Sequence, residues 1–170
     1  AALKEQPGEH RAVPVCSAGG YQACKAACES DQAGKACLEL GAAYLYGTGV
    51  RRRAADASAI FTAACEAGNA RGCVMSAVHH VATSARGRDA RVAAEQFETA
   101  CSLGEEAGCV GRARLELEGI GTYRDEGSAK KGLEAACGGG APIACAVLAG
   151  ADAPEAKSLL EKACKGGFKA

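Results

Sequence analysis

The sequence predicts an all-α protein, an α/α solenoid of helix-turn-helix units crosslinked by disulfides. Two observations carry that prediction. Cysteines recur in pairs eight residues apart, Cys65 with Cys73, Cys101 with Cys109 and Cys137 with Cys145, and each pair stands 36 residues after the one before. Around those cysteines the apolar residues repeat at helical spacing, and a period near 36 marks a stacked array.

At 170 residues and 17.0 kDa the chain is long enough to bury a core without outside help. Twenty Lys plus Arg offset twenty Asp plus Glu, so nothing in the gross balance attracts nucleic acid or an anionic membrane. Aromatic residues make up 4% and Trp is absent, so a core must come from close backbone approach rather than from large side chains. No stretch nears the roughly 18 to 20 consecutive apolar residues of a membrane span, and no secretory h-region stands in it. A monomer soluble in water is expected. The chain opens on Ala1 rather than Met, which fits a matured or trimmed form.

Along the chain, residues 1–15 are polar, carry Pro7 and Pro14, and read as a flexible tether. A partial repeat over 16–36 follows, with Cys16 and Cys24 eight apart; Cys28 and Cys37, at its junction with the next repeat, are nine apart. Full repeats are expected at 37–72, 73–108 and 109–144. From Cys145 to Cys164 the spacing is 19 where the repeats use 28, so the last unit, 145–170, is expected to be truncated. A partner for Cys164 would fall past Ala170, which leaves it as a free thiol.

Zinc is the competing use of close cysteines, but structural zinc sites favour C-x2-4-C knuckles converging four ligands. The eight-residue pairs lack that spacing. Cys24 and Cys28, at i and i+4, supply only two ligands. Disulfides are therefore expected, with no metal and no cofactor, and they place the protein in an oxidising compartment, secreted or periplasmic. Each bridge closes a loop worth about 2.5 kcal/mol in the chain-entropy model.

One helix, B, runs up to the first cysteine of each pair. Eight residues before it stand Ala57, Ala93, Ala129 and Ala156; four before, Phe61, Phe97, Leu133 and Leu160; one before, Ala64, Ala100, Ala136 and Ala163. Gly68, Gly104, Gly140 and Gly167 follow three residues later and terminate it. A second helix, A, opens at the second cysteine, with a small residue four places on: Gly41, Ala77, Ala113 and Ala149. It ends at Gly47-Thr48-Gly49 or Gly119-Ile120-Gly121. Asp89, Asp125 and Asp152 stand where they can cap helix B. Arg53 holds that place in the first full repeat, so its cap is expected to be missing or supplied by another residue.

The run Cys37-Leu38-Glu39-Leu40-Gly41-Ala42-Ala43-Tyr44-Leu45-Tyr46-Gly47-Thr48-Gly49-Val50, followed by Ala57 and Ala64-Cys65-Glu66-Ala67-Gly68, resembles the Sel-one-like repeat pattern. That pattern reads A/C-x-x-L-G-x-x-Y-x-x-G-x-G-V, then a helix ending in A-A/C-x-x-G. With its cysteine pairs the chain is similar to the Helicobacter cysteine-rich protein family over about residues 16 to 167. The resemblance implies a right-handed superhelix of TPR-like helix-turn-helix repeats used chiefly as an interaction scaffold. It also implies, for some relatives, penicillin binding or weak β-lactamase activity, and for a mitochondrial intermembrane-space relative, a role as an assembly factor.

Departures from the pattern mark candidate groove residues. The second repeat has Ser76, Ala77 and His80 for the motif Leu, Gly and Tyr, and the third has Arg112, Ala113 and Glu116. Tyr44, His80 and Glu116 are equivalent positions about 10 Å apart on neighbouring A helices. With Tyr46, Ser76 and Arg112 they could line the concave face as a polar ladder. Alternatively the repeats are rotated, Arg112 and Glu116 form a solvated ion pair, and Val78 or Leu115 fills the core.

Catalytic residues are not expected. Ser128-Ala129-Lys130-Lys131 is an S-x-x-K string, and Lys165-Gly166-Gly167 is faintly like K-T-G, but the S-D-N element and the αβ context are missing. Arg51, Arg52 and Arg53, with Arg86, Arg88 and Arg124, make a basic edge that Asp56, Asp89, Asp125 and Glu126 largely neutralise. Adjacent His79 and His80 point about 100° apart on a helix and do not share a metal. The expected function is a scaffold binding a protein or peptide, with a β-lactamase-like hydrolase and an assembly factor as the alternatives.

Overall fold

The computed structural model describes residues 20–84 and 87–150, with Ser158 and Glu161 besides. Among them eight helices follow one another without a strand: α1 (Tyr21–Ser30), α2 (Lys35–Tyr46), α3 (Ala54–Glu66), α4 (Ala70–Thr83), α5 (Gly87–Ser102), α6 (Glu106–Glu118), α7 (Glu126–Gly138) and α8 (Pro142–Gly150). The tether, Cys16, Asp152 and Cys164 lie outside the described residues.

The odd-numbered helices are B helices and the even-numbered ones A helices. Each packs on the next, and across repeats α4 also meets α6 and α6 meets α8. The A helices therefore lie on the inner side of the stack.

Three of the four described B-to-A joints follow one physical plan; the first, after α1, turns instead through Asp31 in an extended conformation. At the end of α3, Gly68 adopts φ 89°, its N–H donates to the Cys65 carbonyl, and the next N–H, of Asn69, reaches back to Ala64. That six-to-one plus five-to-two pattern is a Schellman motif, which needs the left-handed conformation that glycine adopts without strain. The pattern returns at Gly104 and Gly140, with φ of 84° and 95°. A three-residue linker then leads into the next helix, whose fourth residue is the second cysteine.

Disulfides close these joints: Cys65–Cys73, Cys101–Cys109 and Cys137–Cys145, all eight residues apart. Cys28–Cys37 is nine apart, because residues 31–34 make that linker one residue longer. Cys24 is disulfide-bonded and fully buried. The A helices begin before their cysteine rather than at it, by two residues in α2 and three in α4, α6 and α8, since the first turn is needed to lay the second sulfur beside the first. Asn69 caps α4 by accepting from the Gly72 N–H. At α8 the first position is Pro142, whose missing N–H costs nothing there.

Two expectations about caps come out differently from each other. Asp125 caps α7 through the Ser128 N–H at 2.8 Å. Asp89 does not cap α5, which starts two residues earlier at Gly87; it sits in the first turn instead, where a carboxylate still favours the helix dipole. The N-cap of α3 is Arg53, and no side chain accepts its first N–H groups.

Three small cores run along the stack, each around one B-helix side chain: Phe61, Phe97 or Leu133. Glycines let the A helices close on them. A Cβ built on Gly41 would lie 2.4 Å from the Phe61 ring, and one on Gly111 would lie 2.4 Å from the Phe97 ring. Gly111→Ala should therefore destabilise by about 1–3 kcal/mol despite the higher helix propensity of alanine. Gly132→Ala meets only the Arg112 Nη2 at 3.5 Å, and should stabilise by up to about 1 kcal/mol. Urea midpoints of the two variants, measured with disulfides intact, are expected to move in opposite directions.

Candidate functional site

The inner side of the stack carries an apolar groove between α4 and α6, enclosing a cavity of about 290 Å³. Val78, Val81 and Ala82 of α4 form one wall and Leu115 of α6 the other, over a floor made by the Phe97 ring. Gly111 permits this floor, because a side chain there would displace that ring. Arg114 and Glu118, both exposed, stand at the rim. Val78 is 51% exposed, so the expectation that it fills the core is overturned. The angular step from Ala77, which is fully buried, turns it out of the core and into the groove. Leu115 does fill the core, as one member of the cluster around Phe97.

The groove residues missed in the sequence left one signal. Val74, Val78 and Val81 extend the apolar stripe of α4 beyond the positions that Ala77 needs to pack on α5.

The polar positions singled out from the sequence are engaged with separate neighbours. Ser76 is fully buried, and its hydroxyl lies 2.8 Å from that of Thr62 on α3. Thirty-six residues on, the same two places hold Glu98 and Arg112, joined at 2.5 Å. A small hydroxyl pair has become a long ion pair across the B-to-A joint. Arg112 also meets Glu116 at 3.1 Å, with side chains only 26% and 14% exposed. This pair is half-buried, not solvated, and the second Glu116 oxygen is buried without a hydrogen-bond partner. His80 lies edge-on to His79, and Tyr46 is exposed at 72%.

Tyr44 is buried and shares a 2.6 Å hydrogen bond with Tyr21 of α1. The Arg53 guanidinium lies over its ring, 5.1 Å from the centroid. The hydrogen bond to Tyr21, and then burial, push its pKa above the ordinary tyrosine value of 10.0, while Arg53 opposes the shift.

Ser128 heads α7 beside the capping Asp125, and Lys131 is exposed. Lys130 pairs with Glu134 at 3.8 Å. Lys165-Gly166-Gly167 lies outside the described residues, as does Arg86. Along the basic edge, Arg53 pairs with Asp56 and Arg124 with Glu126. Among the described residues no cluster of three metal-ligating side chains occurs, and no helix is long and apolar enough to cross a membrane.

No protein-family model and no curated protein matches this chain. Solved structures do. A Sel1 repeat protein from Oxalobacter formigenes aligns with TM-score 0.75 at 21% identity, over 87% of this chain and 64% of that one. The protective antigen c5321 of uropathogenic Escherichia coli strains, described as displaying an SLR fold, aligns with TM-score 0.69 at 21% identity, over 86% and 33%. Helicobacter pylori cysteine rich protein B aligns with TM-score 0.57 at 26% identity, over 76% and 92%. The chain thus spans less than two thirds of the first two.

The tyrosine pair gives a direct check. The folded-state pKa of Tyr44 lies above the unfolded one, so the neutral pair's contribution to stability is complete below about pH 10 and is lost as pH rises through the raised value. Ultraviolet difference titration should show a late-ionising tyrosine in the wild-type protein, and Tyr21→Phe should bring that step to lower pH.

Proposed function

The chain folds as a disulfide-bridged Sel1-like repeat solenoid, and we propose that it is an extracytoplasmic scaffold that binds a protein or peptide partner along its A-helix face. The groove between α4 and α6 is the observation that carries this reading. Its walls are aliphatic, its floor is aromatic, and its rim offers one base and one acid. That is the usual form of a pocket taking an apolar anchor side chain with polar contacts around it. Repeat arrays supply such surfaces because each unit buries only its neighbours and leaves one face free.

Four described disulfides, and a fifth at Cys24, favour an oxidising compartment, a periplasm or the cell exterior. Nothing around Ser128 supports the hydrolase reading: the serine lies in the first turn of α7 beside Asp125, which is committed to the helix cap, and Lys131, the lysine of the S-x-x-K string, is exposed and makes no hydrogen bond to it among the described residues.

A photo-crosslinking residue placed at Val78 should trap one defined partner from the extracytoplasmic fraction of the source organism, whereas the same residue at Leu103, exposed at 50% on a B-to-A joint, should not. Val78→Asp should weaken that partner's binding by about tenfold or more, with the circular dichroism unchanged. Equal trapping at both places, or nitrocefin turnover that disappears in Ser128→Ala, would replace the scaffold reading.

A further inference from the structure

A second cavity, of about 500 Å³, opens where α1, α2 and the loop after α2 meet. It shares no lining residue with the groove between α4 and α6. Tyr21 and Tyr44 supply one side, and Val50, Arg51, Arg52 and Arg53 the other.

The donors there outnumber the acceptors. Of the two phenols one donates to the other, which leaves the second O–H free to be offered elsewhere. Arg53 is held by Asp56 and lies over Tyr44. Arg51 and Arg52 are exposed and form no ion pair among the described residues.

The matching loop of the third repeat shows that this charge is not a property of the repeat. Tyr123, Arg124 and Asp125 take the places of the three arginines. There Arg124 is paired with Glu126 and Asp125 caps the helix that follows. The first repeat puts Arg53 in the cap position and leaves α3 without a side-chain acceptor. Its loop has exchanged an acid for a base at a helix start, where an anion is otherwise favoured.

We propose that this cavity binds a small organic oxyanion, a carboxylate or a phosphate. The guanidinium forks of Arg51 and Arg52 engage it, a tyrosine hydroxyl donates to it, and Val50 with the phenol rings packs the organic body. Guanidinium matches both anions through paired N–H donors. The volume suits a ligand of small-molecule size rather than a bare ion.

Calorimetric titration of the oxidised protein at low ionic strength tests this, with benzoate and phenyl phosphate as probes and benzyl alcohol as the uncharged control. At least one anion should bind saturably with Kd below about 10 mM, the tighter one identifying the class, and benzyl alcohol should not bind. The double variant Arg51→Gln/Arg52→Gln should lose tenfold or more, Tyr21→Phe/Tyr44→Phe should weaken binding, and Arg71→Gln, at an exposed arginine elsewhere, should leave it unchanged. Circular dichroism shows whether each variant is folded. Absence of saturation with both anions, unchanged binding in the arginine double variant, or an equal loss in Arg71→Gln would overturn the proposal.

Discussion

The architecture depends on how tightly the chain turns between one helix and the next. At the joints after α3, α5 and α7 a left-handed glycine at the third residue past the first cysteine reverses the path within three residues, and the Schellman hydrogen bonds fix the angle at which the next helix leaves. That turn brings the two cysteine backbones to a Cα separation of 4.4 Å at Cys65 and Cys73, within the range a disulfide spans. The bridge then makes the turn covalent. A chain with 4% aromatic residues and cores centred on single Phe or Leu side chains gains from such constraints what it lacks in buried area.

Once the joints are fixed, the positions facing a joint can change chemistry without changing the frame. Thr62 with Ser76 and Glu98 with Arg112 occupy equivalent places, one pair neutral and short, the other charged and long. Tyr44 and Glu116 are equivalent as well, one packed under an arginine and hydrogen-bonded to a tyrosine, the other paired with Arg112. The same scaffold thus presents an aromatic and basic cavity at one end and an apolar groove further along.

Much of this was legible in the sequence because the period is strict. Helix order, the glycine terminators, the Asp125 cap and Gly41 under Phe61 all follow from counting away from the cysteines, whereas Gly111 under Phe97, two residues past its cysteine rather than four, does not. What the counting missed depends on angles and on distant partners. Val78 departs from the core because a helix places it about 100° from Ala77. Glu98 was missed as the partner of Arg112 because the two lie on different helices, 14 residues apart, where local i, i+4 reasoning points to Glu116 alone. The start of α5 shifted relative to Asp89 because the second repeat lacks the Gly-x-Gly ending of its neighbours: α4 runs on to Thr83 where α2 and α6 stop at a glycine.

Peptide mapping of the unreduced protein by mass spectrometry tests the covalent plan most directly. Cys28 should be recovered with Cys37, Cys65 with Cys73, Cys101 with Cys109 and Cys137 with Cys145, each from its own joint. Recovery of these sulfurs as free thiols, or in bridges between different joints, would contradict it.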